Sequence, residues 1–438
     1  MGNDLNNPTG ESNLERSVAG RNILLLQGPM GPFFRKLNRF LVKSGARVWQ
    51  VCFNASDLFF AKHKRHISYR GSLETWRKDV LSIYFEQKID AILLFGDCRG
   101  YHRIAIDAAE ALGIDILVFE EGYIRPHYLT LEKGGVNAFT SLSEDAEFYL
   151  KTKSPRPEAE SVHVPFAFSK AALYSTLYFI LMELGHFSFP NYKHHRNASP
   201  YREAAYGLRN YFRKNFFRIS ERLKNRKITK ALRDTYYFVP LQTESDAQFH
   251  IHSDFESIPE FIETLIASFA RNAPTDQFLV FKHHPGDRGR THYGMRVKTF
   301  ASKYGVSGRV LYTHDIHLPT AIKQSLGVVT INSTVGISSL YHGAPTLVLG
   351  RANYDIEGLT CKGVTLDEFW MDQKRPDRRL FLRYRDYLLR TTQIPGVFYA
   401  SFPEEEILLE RICSLLSADA GYEKVGKGGE KTNKKSRK

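Results

Sequence analysis

Phe278-Leu279-Val280-Phe281-Lys282-His283-His284-Pro285 is a short apolar run that stops at a Lys-His-His-Pro cluster. Further on, Val328-Val329-Thr330-Ile331-Asn332-Ser333-Thr334-Val335-Gly336 is a β-branched run that stops at Asn-Ser-Thr and enters a Gly-containing helical pattern. Both runs have strand length and end at turn or capping residues, so both read as buried parallel strands with polar C-terminal ends. In an open α/β sheet, ligands bind outside those carboxyl ends. Around them, 236–241 (YYFVPL), 309–312 (RVLY) and 344–349 (APTLVL) read as further strands, with helices over 258–270, from 318 and over 335–342.

The same alternation occurs earlier in the chain. Residues 22–27 (NILLLQ), 48–53 (VWQVCF), 91–95 (AILLF) and 116–119 (ILVF) read as strands separated by helical patterns. Strand–helix alternation predicts a parallel, doubly wound sheet. The fold class is therefore α/β, with two Rossmann-like domains facing a cleft. The expected organisation is a disordered N-terminus over 1–20, a Rossmann-like domain over 21–160 and a helical basic and aromatic connector over 161–235. A second Rossmann-like domain over 236–375, C-terminal helices over 376–418 and a disordered basic tail over 419–438 follow.

A chain of 438 residues with 42% hydrophobic content is long enough for two self-sufficient cores and has a soluble composition. Its formal charge of +14 calls for an anionic partner. The four cysteines are scattered without a CxxC pair, so neither a zinc site nor a disulfide framework is implied. The polar N-terminus lacks an apolar signal core, which fits a cytoplasmic protein. Residues 166–185 approach spanning length, but Lys170 and Glu183 interrupt them, and they read as a buried or interfacial helix. Residues 191–233 are strongly basic and aromatic, which suits an anionic membrane surface or RNA, or a solvated insertion with aromatic core positions.

The strand ends collect the candidate chemistry. In the first unit they bring Gly28, Asp97, Arg99, His102, Glu120 and Glu121 to one edge. Gly28 and Gly31 open a strand–turn–helix, which either lets backbone amides approach an anion or makes an ordinary tight turn. Glu120-Glu121 is either a catalytic carboxylate whose pKa burial raises, or a solvated loop; a one-residue change of register decides which of the two faces the cleft. In the second unit, His284 can donate to a phosphate and Lys282 adds charge, although a histidine at a strand end is commonly structural. Ser333 and Thr334, with Asn332 beside them, suit a helix N-cap and a phosphate equally. No DxD, P-loop, HExxH or GxSxG pattern occurs, and no metal ligand set is expected.

Taken together, Phe119-Glu120-Glu121-Gly122-Tyr123-Ile124-Arg125-Pro126, Lys282-His283-His284-Pro285 and Thr330-Ile331-Asn332-Ser333-Thr334-Val335-Gly336 followed by Gly343-Ala344-Pro345 resemble the bacterial capsule polysaccharide biosynthesis family. The resemblance spans residues 22–416 and points to the branch that starts the Kdo linker of lipid-anchored capsules. It implies a GT-B-like fold and a retaining β-Kdo transferase using CMP-Kdo, with no cofactor and no metal. The implied acceptor is a lysophosphatidylglycerol-type lipid at the inner face of the inner membrane, with other capsule biosynthesis and export proteins as further partners and no nucleic acid. Carried over by motif, Glu121 is the candidate catalytic carboxylate, where sister transferases have Asp. His284 is the phosphate contact and acid, and Ser333 and Thr334 bind the same phosphate. Lys282, Asn332, Gly28 and Gly31 complete the nucleotide-sugar site, while Arg99, Arg125 and Glu120 are candidate contacts for the acceptor or the sugar carboxylate. The competing readings are a transferase or epimerase using a UDP-sugar, a non-catalytic membrane scaffold for capsule assembly, and an RNA-binding protein.

Overall fold

The computed structural model describes residues 18–152, 167–194, 200–243, 249 and 251–416. The expected disordered termini, apart from 18–20 and its fully buried Val18, lie outside the described residues, as do 153–166 where the expected first domain meets the connector.

The first unit runs β1 (Asn22–Leu25), α1 (Phe33–Lys43), β2 (Arg47–Cys52), α2 (Ala55–Ala61), β3 (His66–Ser68), α3 (Trp76–Glu86), β4 (Ala91–Phe95), α4 (Gly100–Leu112), β5 (Asp115–Glu121) and β6 (Tyr128–Lys133). Its strands lie in the order β12-β6-β5-β4-β1-β2-β3, where β12 (Gln393–Pro395) returns from near the C-terminus. β1 to β5 pair in parallel, whereas β6 and β12 are antiparallel additions. The sequence reading expects a purely parallel sheet. The loop between Glu121 and Tyr128 is too short for a crossover, so the chain must turn back beside β5. The strands read as unbroken apolar runs because helices cover both faces. Ile23 and Leu25 pack into one core with Phe33 and Leu37 of α1, and Leu24 and Leu26 into the other with Trp76 and Val80 of α3.

A short helix, α5 (Ala146–Lys151), ends the first unit, and two longer ones follow: α6 (Ala167–Leu184) and α7 (Pro200–Ser220), continued by α8 (Arg222–Arg226). No described helix is long and apolar enough to cross a membrane.

The second unit is β7 (Tyr236–Pro240), α9 (Ile258–Asn272), β8 (Phe278–Lys282), α10 (Gly294–Lys303), β9 (Val310–Thr313), α11 (Leu318–Lys323), β10 (Gly327–Thr330), α12 (Val335–Tyr341) and β11 (Thr346–Val348). Its five strands, in the order β11-β10-β7-β8-β9, are all parallel. The chain then passes through α13 (Leu366–Phe369) and α14 (Arg378–Thr391), β12, and α15 (Glu405–Leu416). These last elements return to the first sheet: Leu408 and Ile412 of α15 share a core with Ile23 and Phe33, and Phe381 and Tyr384 of α14 share one with Leu24 and Trp76. Ile337 and Leu340 of α12 join that second core, so apolar packing ties the two units together.

Candidate functional site

The second sheet presents cations. β8 ends at Lys282, His283 is fully buried, and half-buried His284 begins a tight turn. The His284 Nδ1 accepts the Gly286 backbone N–H at 3.0 Å. In the neutral ring that leaves the proton on Nε2, available as a donor. Burial, with the charges of Lys282, Arg125 and Arg288, pushes the imidazole pKa down to about 4. Burial and Arg288 likewise push the Lys282 ammonium down to about 8, against the opposing charge of Asp315. Such shifts mark a place where positive charges are crowded and water is partly excluded.

Beneath this edge is a packed aromatic and histidine cluster. The His283 Nδ1 meets the Tyr312 hydroxyl at 2.6 Å, and His314 stacks on Phe217 of α7 with ring centroids 3.5 Å apart. The His314 backbone N–H donates to Glu221 at 2.7 Å. Burial alone would raise the Glu221 carboxyl, but hydrogen bonds from His314 and Lys224 hold it down at about 2. Residues 285–290 are clamped from the same side: the Arg213 guanidinium donates to the Arg288 carbonyl at 2.9 Å, and Arg290 pairs with Glu203. This clamp is invisible in the sequence, because α7 and the 285–290 turn are far apart along the chain.

The first sheet presents a carboxylate. β5 pairs with β6 in a register that sets Glu121 opposite Leu129 and Glu120 opposite Thr130, so the two side chains leave opposite faces. The Glu121 carboxylate is half-buried and, among the described residues, accepts no hydrogen bond. Burial raises its pKa, opposed by the Arg125 charge. Arg125 is exposed and acts on His284 as well, so it links the two sheet edges electrostatically. Glu120 is placed differently. Its Oε1 accepts the Glu121 backbone N–H at 2.9 Å, and its Oε2 lies with the Arg99 Nε beside Gly96.

The other expected residues divide in the same way. Thr334, half-buried, precedes α12 without a capping hydrogen bond from its side chain. The Ser333 Oγ accepts the Val335 N–H at 3.2 Å, and its carbonyl accepts the Tyr354 hydroxyl at 2.6 Å. Asn332 exchanges hydrogen bonds with Gln242, at 2.7 and 3.2 Å, which ties β10 to the end of β7. In the glycine turn, a Cβ on Gly28 would lie 2.6 Å from the Phe34 ring, and one on Gly31 3.2 Å from Tyr174 of α6. Those glycines make room for aromatic packing. Arg99 donates to Gln27 Oε1 at 2.8 Å and covers Phe95. Gln27 belongs to a buried network with Asp57, Tyr178 and Tyr192 that sequence reading missed. Its one local signal is Asn54, which caps α2 by accepting from the Ser56 and Asp57 amides. Asp97 is fully buried, accepts the Val136 N–H at 2.9 Å, and has its pKa raised by burial. Among the described residues, no group of three or more His, Cys, Asp or Glu side chains is placed to hold a metal.

Residues 90–399, which include both sheet edges, match the family model for capsule polysaccharide biosynthesis proteins. The chain belongs to the capsule polysaccharide biosynthesis family. Within this family it is 38% identical to the capsule polysaccharide export protein KpsS of Escherichia coli over 87% of this chain and 98% of that one. It is also 38% identical to the capsule polysaccharide modification protein LipB of Neisseria meningitidis serogroup B, over 90% of this chain and 96% of that one. Among solved structures, it is similar to Thermosulfurimonas dismutans KpsC, a beta Kdo 2,7 transferase, with 12% identity and a TM-score of 0.41 over 90% of this chain and 99% of that one.

Proposed function

We propose that this capsule-family protein is a retaining glycosyltransferase that moves Kdo from CMP-Kdo to a lysophosphatidylglycerol-type acceptor. The observation that carries the reading is the pair of sheet edges. A carboxylate with raised proton affinity, which among the described residues accepts no hydrogen bond, stands at one edge, a lysine and a neutral imidazole with lowered proton affinity stand at the other, and Arg125 acts on both.

In this reading the donor phosphate lies against Lys282, the His284 Nε2–H and the Thr334 hydroxyl, with Ser333 and Asn332 shaping the turn beneath it. Such preorganised donors stabilise a leaving phosphate, and a single phosphate asks no more of the site than these groups supply. The reading needs neither metal nor cofactor. Glu121 attacks the anomeric carbon as the cytidylate departs with the bonding pair, forming a glycosyl ester. The acceptor hydroxyl then displaces Glu121 on the same face as the departed phosphate, and two inversions give net retention. The cytidylate, a phosphate monoester with a second pKa of about 6, takes the hydroxyl proton. Arg125 receives the sugar carboxylate in this reading. Arg99 and Glu120, held beside Gly96, set the floor of the acceptor side, and Gly28 and Gly31 act through packing. The lipid acceptor sets the work at an anionic membrane surface, as a peripheral protein on its cytoplasmic side, alongside other capsule biosynthesis and export proteins.

The test is release of CMP from CMP-Kdo with a lysophosphatidylglycerol acceptor, with and without EDTA, for wild type, Glu121→Gln and His284→Ala. The expected result is EDTA-resistant turnover in wild type that collapses in both variants. Folded wild type that turns over a UDP-sugar instead, or no sugar nucleotide at all, would replace this reading with the epimerase-like or the scaffold one.

A further inference from the structure

Helix α7 has two faces with opposite character. The inner face is bolted to the second unit through Glu203 to Arg290, Arg213 to the Arg288 carbonyl, and Phe217 on His314. The outer face carries Leu208, Tyr211, Phe212, Phe216 and Ile219, and the row continues to Leu223 of α8. Their spacing of three and four residues puts them on one stripe. All are exposed, Ile219 by 77% and Leu223 by 80%. Soluble proteins leave single apolar residues exposed, but a continuous stripe marks a surface that something covers. The flanks identify the cover. Arg209 lies along one side of the stripe and Lys214, Arg218 and Arg222 along the other, all exposed. At 1.5 Å per residue the helix is about 30 Å long. An apolar stripe between two basic margins is the pattern of a helix lying in the plane of an anionic membrane interface.

We propose that α7 is an in-plane docking helix whose outer stripe enters the interface of an anionic phospholipid bilayer, while its inner face holds the turn after His284. This deepens the lipid-acceptor reading and rests on it for the choice of surface. The acidic headgroups meet the basic margins, and Phe212, Phe216 and Ile219 enter the headgroup–acyl boundary. Because the inner face is fixed to residues 285–290, docking orients the nucleotide-sugar edge with respect to the membrane.

The experiment is co-sedimentation of the full chain with vesicles of phosphatidylglycerol and phosphatidylcholine, compared with phosphatidylcholine alone. The variants are Phe212→Ser/Phe216→Ser/Ile219→Ser and Arg209→Gln/Lys214→Gln/Arg218→Gln, with thermal melting as the folding control. Wild type is expected to sediment with the anionic vesicles. The basic-margin variant should bind roughly a hundredfold more weakly at low salt, at about fivefold per charge near the surface. The apolar variant should lose at least tenfold, and both should keep wild-type CMP release from CMP-Kdo with a water-soluble, short-chain acceptor. That last readout separates failure of docking from failure of the transferase reading. Binding that persists in both variants, or equal binding to neutral vesicles, would overturn the proposal. So would a wild-type dimer that the apolar variant dissociates, which would assign the stripe to a second copy of the chain.

Discussion

The two sheet edges that face the cleft shift their ionisable groups in opposite directions. At the end of β5, burial raises the Glu121 carboxyl and little opposes it except Arg125. At the end of β8, burial and neighbouring cations lower Lys282 and His284. Each edge alone stores an electrostatic penalty. In the proposed reaction, an anionic donor set between them would relieve the penalty at the second edge while bringing an electrophilic carbon to the first. The support beneath the edges differs as well. Among the described residues the Glu121 carboxylate accepts no hydrogen bond, whereas the His284 turn is backed by Arg213, Phe217 and Glu221. A free carboxylate suits bond making, and a braced turn suits binding in a fixed geometry.

The largest expected effect is on turnover. Glu121→Gln keeps the shape of the β5 edge and removes its charge, and turnover should fall by about a thousandfold or more, measured as CMP release. If Glu120→Gln shows that loss instead, the register that separates the two carboxylates has been assigned the wrong chemistry. Next comes His284→Ala, which removes the Nε2–H donor and should lower turnover about a hundredfold. Rescue by His284→Gln, whose amide can donate from a similar position, would show that a hydrogen bond suffices and that proton transfer from this residue is not needed.

The third effect is a pH limb. A lysine whose pKa lies at about 8 in the folded chain loses its charge as pH rises through that value. Donor affinity, measured as KM for CMP-Kdo, should therefore weaken above pH 8 by up to about tenfold per unit. Lys282→Arg should carry the flat region to higher pH, because a guanidinium stays charged. A wild-type profile flat to pH 10 would remove Lys282 from the donor site. The smallest effect concerns the residue that links the two edges. Arg125 opposes the rise in the Glu121 pKa, so Arg125→Gln should move the acid limb of kcat/KM to higher pH. An unmoved limb would mean that Arg125 does not act on the carboxylate proposed as the nucleophile.

Much of this architecture was legible in the sequence, for a physical reason. Strands buried on both faces, such as Ala91–Phe95 and Phe278–Lys282, appear as unbroken apolar runs, and the polar break that follows marks the functional edge. The antiparallel strands β6 and β12 were not legible. β6 carries Thr130 and Glu132 fully or almost fully buried, and β12 has only three residues. Their identity comes from pairing partners, not from their own pattern. The motif residues showed the same limit. Glu121 and His284 were candidates because each stands at the polar end of an apolar run, and the structure sets both at sheet edges. Asn332, Gly28 and Gly31 sit where phosphate-binding residues are expected, yet the structure engages Asn332 with Gln242 and packs the two glycines against Phe34 and Tyr174. The partners of α7 were also hidden, since Arg213, Phe217 and Glu221 meet 285–290 and His314 only through tertiary packing.

The most direct test of a donor bound at one edge and attacked from the other is calorimetric titration of CMP-Kdo into wild type, Glu121→Gln and His284→Ala at pH 7. The account predicts that Glu121→Gln binds within about threefold of wild type while failing to turn over, and that His284→Ala binds at least about tenfold more weakly, as the loss of a hydrogen bond to a charged group requires. Equal affinities for wild type and His284→Ala, or a loss of binding confined to Glu121→Gln, would contradict it.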